Sequence, residues 1–144
     1  MNILENILIY LHIISATFYV GGDILFLLFG ISIRYIYKNN SLLPGFRALG
    51  RIFRIGSWVS IFLLFSTGIF LLIYRWGGID INMLIKLILF GILIPLKILH
   101  DFYTAPKAAM EKPPGFYFKI TLFVARVNLL ILLLIIFFSM RFVR

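Results

Sequence analysis

Ile120-Thr121-Leu122-Phe123-Val124-Ala125-Arg126-Val127-Asn128-Leu129-Leu130-Ile131-Leu132-Leu133-Leu134-Ile135-Ile136-Phe137-Phe138-Ser139-Met140 is apolar on every side, with Arg126 its one charged residue. A strand or a soluble amphipathic helix would alternate or show a polar stripe, and this run does neither. About 20 such residues, wound as a helix, cross the roughly 30 Å hydrocarbon core of a bilayer. Three more stretches read the same way, at residues 6–33, 55–74 and 83–103. The expected fold is therefore all-α: a four-transmembrane-helix bundle forming a single domain over residues 1–144 of an integral membrane protein.

Composition agrees. Of the 144 residues 62% are hydrophobic and 13% charged, and the mean hydropathy is +1.08. A soluble domain of this size could not shield so much apolar surface. The chain has no cysteine, which excludes disulfides, thiolate metal sites and thiol nucleophiles. The net charge of +9 is no nucleic-acid signal, because most of the basic residues lie between spans and no nucleic-acid-binding motif is visible. The Met1-Asn2-Ile3-Leu4-Glu5 start lacks the positive region of a signal peptide, so the first apolar run is expected to stay as a helix.

Arg34, Lys38, Arg47, Arg51, Arg54, Lys107, Lys112 and Lys119 flank the first and third connections, against Arg75, Arg141 and Arg144 on the opposite side. The positive-inside rule then puts both loops in the cytoplasm and both termini outside, in the inner (cytoplasmic) membrane. Pro44-Gly45 is expected to break the chain in the first loop. Arg47, Arg51 and Arg54 then recur at helical spacing, which predicts an early start to helix 2 with a basic face at the lipid headgroups. Trp76-Gly77-Gly78-Ile79-Asp80 reads as a tight turn. Thr104 to Lys112 reads as a short surface helix stopped by Pro113-Pro114-Gly115. Gly21, Gly22, Gly56 and Gly68 offer close helix contacts and, through them, a possible homodimer.

Ionisable groups inside a span are costly and mark function. Here they are His12 and Asp23 in helix 1, Lys86, Lys97 and His100 in helix 3, and Arg126 in helix 4. His12 and Asp23 are eleven residues apart, as are Lys86 and Lys97, and eleven residues return to nearly the same helix face. Two matched stripes predict an outer rung of His12 and Lys86 and an inner rung of Asp23 and Lys97, the latter a structural ion pair. His100 and Arg126 belong to the inner level, and Ser15, Ala16 and Tyr19 join the His12 stripe. His12 is read three ways: as a haem-iron ligand, as a polar relay, or as a packed residue. His100 is a second candidate iron ligand, near the cytoplasmic end. It lies too far from His12 along parallel helices to share its iron, so Lys86, Met83 or an open position would complete the site. Counting Lys86, Lys97 and Arg126 against Asp23 leaves two positive charges, which haem propionates would balance. Tyr19, Phe26, Phe53, Trp58 and Tyr103 either flank a flat macrocycle or simply pack.

Leu11-His12-Ile13-Ile14, Arg51-Ile52-Phe53-Arg54 leading into Thr67-Gly68, Lys86-Leu87-Ile88-Leu89 and Arg126-Val127-Asn128-Leu129-Leu130 carry a resemblance over nearly the whole chain. Together they resemble the superfamily of small four-helix membrane proteins that includes the CopD-type copper-resistance proteins and the HemJ-type protoporphyrinogen oxidases. The resemblance implies a b-type haem held through His12, with Lys86 needed nearby. The HemJ branch often carries Trp and His just before that lysine, where this chain reads Ile81-Asn82-Met83-Leu84-Ile85. A copper carrier would want Met and Cys ligands, and the chain has four Met, no Cys and two His.

Three functions follow as expectations. The first is a haem-b membrane protein for electron transfer, or for oxidation of a small membrane-associated substrate, with a membrane redox partner or a quinone. The second is a metal-ion or small-solute transport module without haem, and the third a structural subunit of a membrane complex. No Ser-His-Asp set, phosphate loop or catalytic carboxylate pair can be assembled, so without a cofactor the chain has almost no catalytic equipment.

Overall fold

The structure, a computed structural model, describes residues 3–36, 43–73, 79–110 and 115–140. The elements are α1 (Ile3–Ile36), α2 (Leu43–Leu71), α3 (Ile81–Ile98), a π-helical turn (Leu99–Thr104), α4 (Ala105–Met110) and α5 (Phe116–Met140). The described residues contain four helical stretches long and apolar enough to cross a membrane: Ile3–Gly30, Ala48–Leu71, Ile81–Met110 and Phe116–Ser139. The chain is all-α and a multi-pass membrane protein.

The helices run past the expected spans. α1 has 34 residues, roughly 50 Å at 1.5 Å per residue, well over the hydrocarbon thickness. Pro44-Gly45 does not break the chain: both lie in the first turn of α2, where the missing proline N–H has no intrahelical partner to lose. The early start of α2 is as the arginine spacing predicts. Thr104 to Met110 is not a separate surface helix but a direct continuation of α3. Trp76 to Gly78, Pro113-Pro114, Lys38, Arg75, Lys112, Arg141 and Arg144 lie outside the described residues, as do the side chains of Arg34 and Arg47.

Two compact units divide the chain, Met1–Gly78 and Ile79–Arg144. In the first, α1 packs on α2 through phenylalanines set onto glycines. A methyl group on Gly22 would collide with the Phe53 ring, and one on Gly56 would come within 2.9 Å of Phe18. Gly50 takes the Phe26 ring in the same way, at 3.2 Å. Phe26 and Phe53 stack at 5.2 Å between centroids, and Phe18 lies 6.1 Å from Phe53. Between lipid-facing helices the apolar effect offers little net gain, so this close approach supplies the dispersion that holds the pair. Gly22 and Gly56 are thus used within the chain, whereas Gly21 faces no side chain within 4 Å. Ser15 and Tyr19 of α1 and Ser57, Ser60, Ile61 and Thr67 of α2 are buried.

In the second unit α3, its π turn and α4 pack along α5. Asp80 caps α3, its carboxylate accepting the Met83 N–H at 2.7 Å. Pro95 sits inside α3 and has no N–H for the carbonyl of Gly91. Immediately afterwards the ladder widens, with the Ala105 N–H bonding His100 O five residues back. Leu93, Lys97, Asp101 and Thr104 are all buried and recur every three to four residues, which defines the inner stripe of this long helix.

Candidate functional site

In the first unit His12 is fixed by α2. Its Nδ1 lies 2.8 Å from Thr67 Oγ1. The Thr67 hydroxyl is itself 2.6 Å from Leu63 O and 3.4 Å from Leu64 O. A hydroxyl has one proton to give, and here the backbone of α2 takes it. Thr67 therefore accepts from His12, so the imidazole carries its proton on Nδ1 and its lone pair on Nε2. Gly68 lies alongside, where a methyl group would stand 3.5 Å from His12 Cε1. Thr67 is 4% exposed, so water does not compete for this bond.

A metal-ligating histidine typically donates its other ring N–H to an oriented acceptor, which fixes the tautomer and strengthens the ligand. His12 and Thr67 have that form. Among the described residues no three His, Asp or Glu side chains gather as a metal cluster. A haem iron draws four ligands from its porphyrin and asks the protein for one or two. The donor set around His12 fits that demand.

The second unit holds another polar group. Asp101 Oδ2 lies 3.5 Å from Lys97 Nζ, and Asp101 Oδ1 lies 2.8 Å from His100 Nδ1. Thr104 Oγ1 donates to His100 O at 3.3 Å. Asp101 and Lys97 are 3% and 4% exposed. Asp101 therefore sits inside the helix, and it corrects the charge count: besides Asp23, a buried carboxylate stands among the cations. The physical reason is the continuation of α3 through the π turn, which carries Asp101 and Thr104 onto the buried stripe. The helix itself thus supplies Lys97 with an anion four residues on.

Lys86 is half-buried on the same stripe of α3. Tyr19 of α1 is fully buried. Arg126 is exposed, because it lies two residues from Val124 and Asn128, both on the buried face of α5, and two residues turn a helix about 200°. Phe26 and Phe53 stack on each other. Within the units the structure brings His12 to Thr67 and His100 to Asp101. The sequence reading did not assign Thr67, Asp101 or Asn128 to a site. For Asp101 the signal was present, four residues after Lys97 and next to His100. Asn128 is 3% exposed and its Oδ1 has no hydrogen-bond partner among the described residues. A buried carbonyl oxygen left in that state costs about 1–3 kcal/mol, and so calls for a donor.

The chain is similar to an uncharacterized protein of Aquifex aeolicus (strain VF5), 28% identical over 142 residues, covering 98% of this chain and 96% of the relative. No family model matches the sequence. No solved structure matches it.

Proposed function

We propose that the protein is a haem-b-binding membrane protein acting in electron transfer, or in oxidation of a small membrane-associated substrate, with His12 Nε2 as an axial iron ligand. The observation that carries this reading is the His12–Thr67–Leu63 chain of hydrogen bonds, which leaves Nε2 as the lone-pair nitrogen. Bound haem would supply one-electron redox chemistry. The chain's own residues orient the imidazole, hold its Nδ1 proton on Thr67 and keep water from that bond. His100, held by Asp101 Oδ1 through Nδ1, presents Nε2 in the same way and is the candidate for a second iron. A quinone or a membrane redox partner would exchange the electrons. The reading places the chain in the inner (cytoplasmic) membrane, with both termini outside, and does so on the distribution of Lys and Arg. The resemblance to CopD- and HemJ-type proteins supports the same reading.

The test is an absorption spectrum of the detergent-purified protein, oxidised and then dithionite-reduced, with a pyridine haemochrome assay. A Soret band with reduced α and β bands at near-stoichiometric haem is expected. A colourless protein that also fails to take up added haem would retire this reading in favour of transport.

A further inference from the structure

Along the outer side of α3 and the π turn runs a shallow, open groove of about 500 Å³ lined by Pro95, Ile98, Leu99, Phe102 and Tyr103. Its walls are exposed, Phe102 at 63% and Tyr103 at 49%. Both irregularities of the helix fall here: Pro95 at one end, and the π turn that carries Leu99, Phe102 and Tyr103. From Pro95 to Tyr103 it spans roughly 12 Å at 1.5 Å per residue, a length suited to part of one extended hydrocarbon chain.

The groove ends at a cation. Lys107, one helical turn beyond Tyr103, has its Nζ 3.8 Å from the centre of the Tyr103 ring and 4.9 Å from that of Tyr117. It donates to Tyr117 Oη at 3.4 Å. The two tyrosine rings meet edge to face at 6.2 Å. The rings fix the ammonium by cation–π attraction while leaving it N–H groups to donate. Tyrosine and lysine together are the residues of a headgroup level, where an apolar body meets a polar tip.

We propose that this surface is a binding site for one anionic glycerophospholipid, with an acyl chain in the Pro95–Phe102 groove and the phosphate on Lys107. Charge selects the occupant. A neutral isoprenoid quinone would fit the groove but offers Lys107 only uncharged carbonyl acceptors, whereas a phosphate adds an opposite charge to the hydrogen bond.

Native mass spectrometry of the full-length protein in mixed micelles containing equal phosphatidylglycerol and phosphatidylcholine reads the preference directly. A retained phosphatidylglycerol favoured roughly fivefold is expected, the factor one basic residue contributes at an anionic surface. Lys107→Gln should bring the ratio to about one, and Lys107→Arg should keep it. Leu99→Trp, which fills the groove, should reduce retention of both lipids. A wild-type ratio near one, or an unchanged ratio in Lys107→Gln, would overturn the proposal. So would displacement of the lipid by a neutral short-chain quinone at equal concentration, or a dimer in which a second copy covers Phe102 and Leu99.

Discussion

Thr67 decides which nitrogen of His12 is basic. Its hydroxyl is held by Leu63 O, so it acts on the imidazole only as an acceptor, and removing it releases both the tautomer and the ring orientation. Thr67→Val, equal in shape but without the oxygen, should lower haem affinity about tenfold, and Thr67→Ser should restore it, as haem titrations followed at the Soret band would read. Equal affinity in all three proteins would show that Thr67 does not position the ligand. In the other unit the corresponding residue is Asp101, which faces both Lys97 and His100. Breaking a buried pair from one side costs about 3–5 kcal/mol, while replacing both partners by apolar groups is often tolerated. Asp101→Asn should therefore lower the thermal midpoint more than the double change Lys97→Met with Asp101→Leu. A double variant at least as unstable as the single one would mean that the pair is not the interaction at stake.

At the scale of elements, adjacent glycines provide a sharp contrast. Gly22 lies under the Phe53 ring and Gly21 faces open space. Gly22→Ala should destabilise the α1–α2 pair by about 1–3 kcal/mol through overpacking, whereas Gly21→Ala should be neutral or slightly stabilising, because alanine is the better helix former. Thermal unfolding in detergent, side by side, measures both, and equal shifts would contradict the packing described. The four spans were legible in the sequence because about 20 apolar residues in a row have one common meaning. The π turn was not. It needs no special residue at Leu99 to Thr104, and the run of α3 into α4 depends on Asp101 and Thr104 finding burial on the same stripe as Leu93 and Lys97. The Pro44-Gly45 reading failed for a related reason: proline stops a helix only beyond its first turn.

For the molecule as a whole, the absence of cysteine makes topology directly measurable. Single-cysteine variants Asp80→Cys and Lys119→Cys lie on opposite sides of the proposed orientation. An impermeant maleimide added to intact cells should label the first and not the second, and the reverse pattern would invert the topology. His12 stood out in the sequence because a lone imidazole in a span is costly, but its partner did not, since Thr67 is an ordinary hydroxyl until α2 brings it within 2.8 Å. Arg126 shows the converse. Its charge stood out in the middle of an apolar run, but its facing did not: helix phase sets it opposite Val124 and Asn128.

Coordination by His12 is most directly tested by removing the side chain and returning the imidazole from solution. In His12→Gly, reconstituted with haemin in detergent, the Soret band should be weakened or shifted, and millimolar imidazole should restore the wild-type position. A His12→Gly protein whose oxidised and reduced spectra match the wild type before any imidazole is added would contradict His12 as the iron ligand.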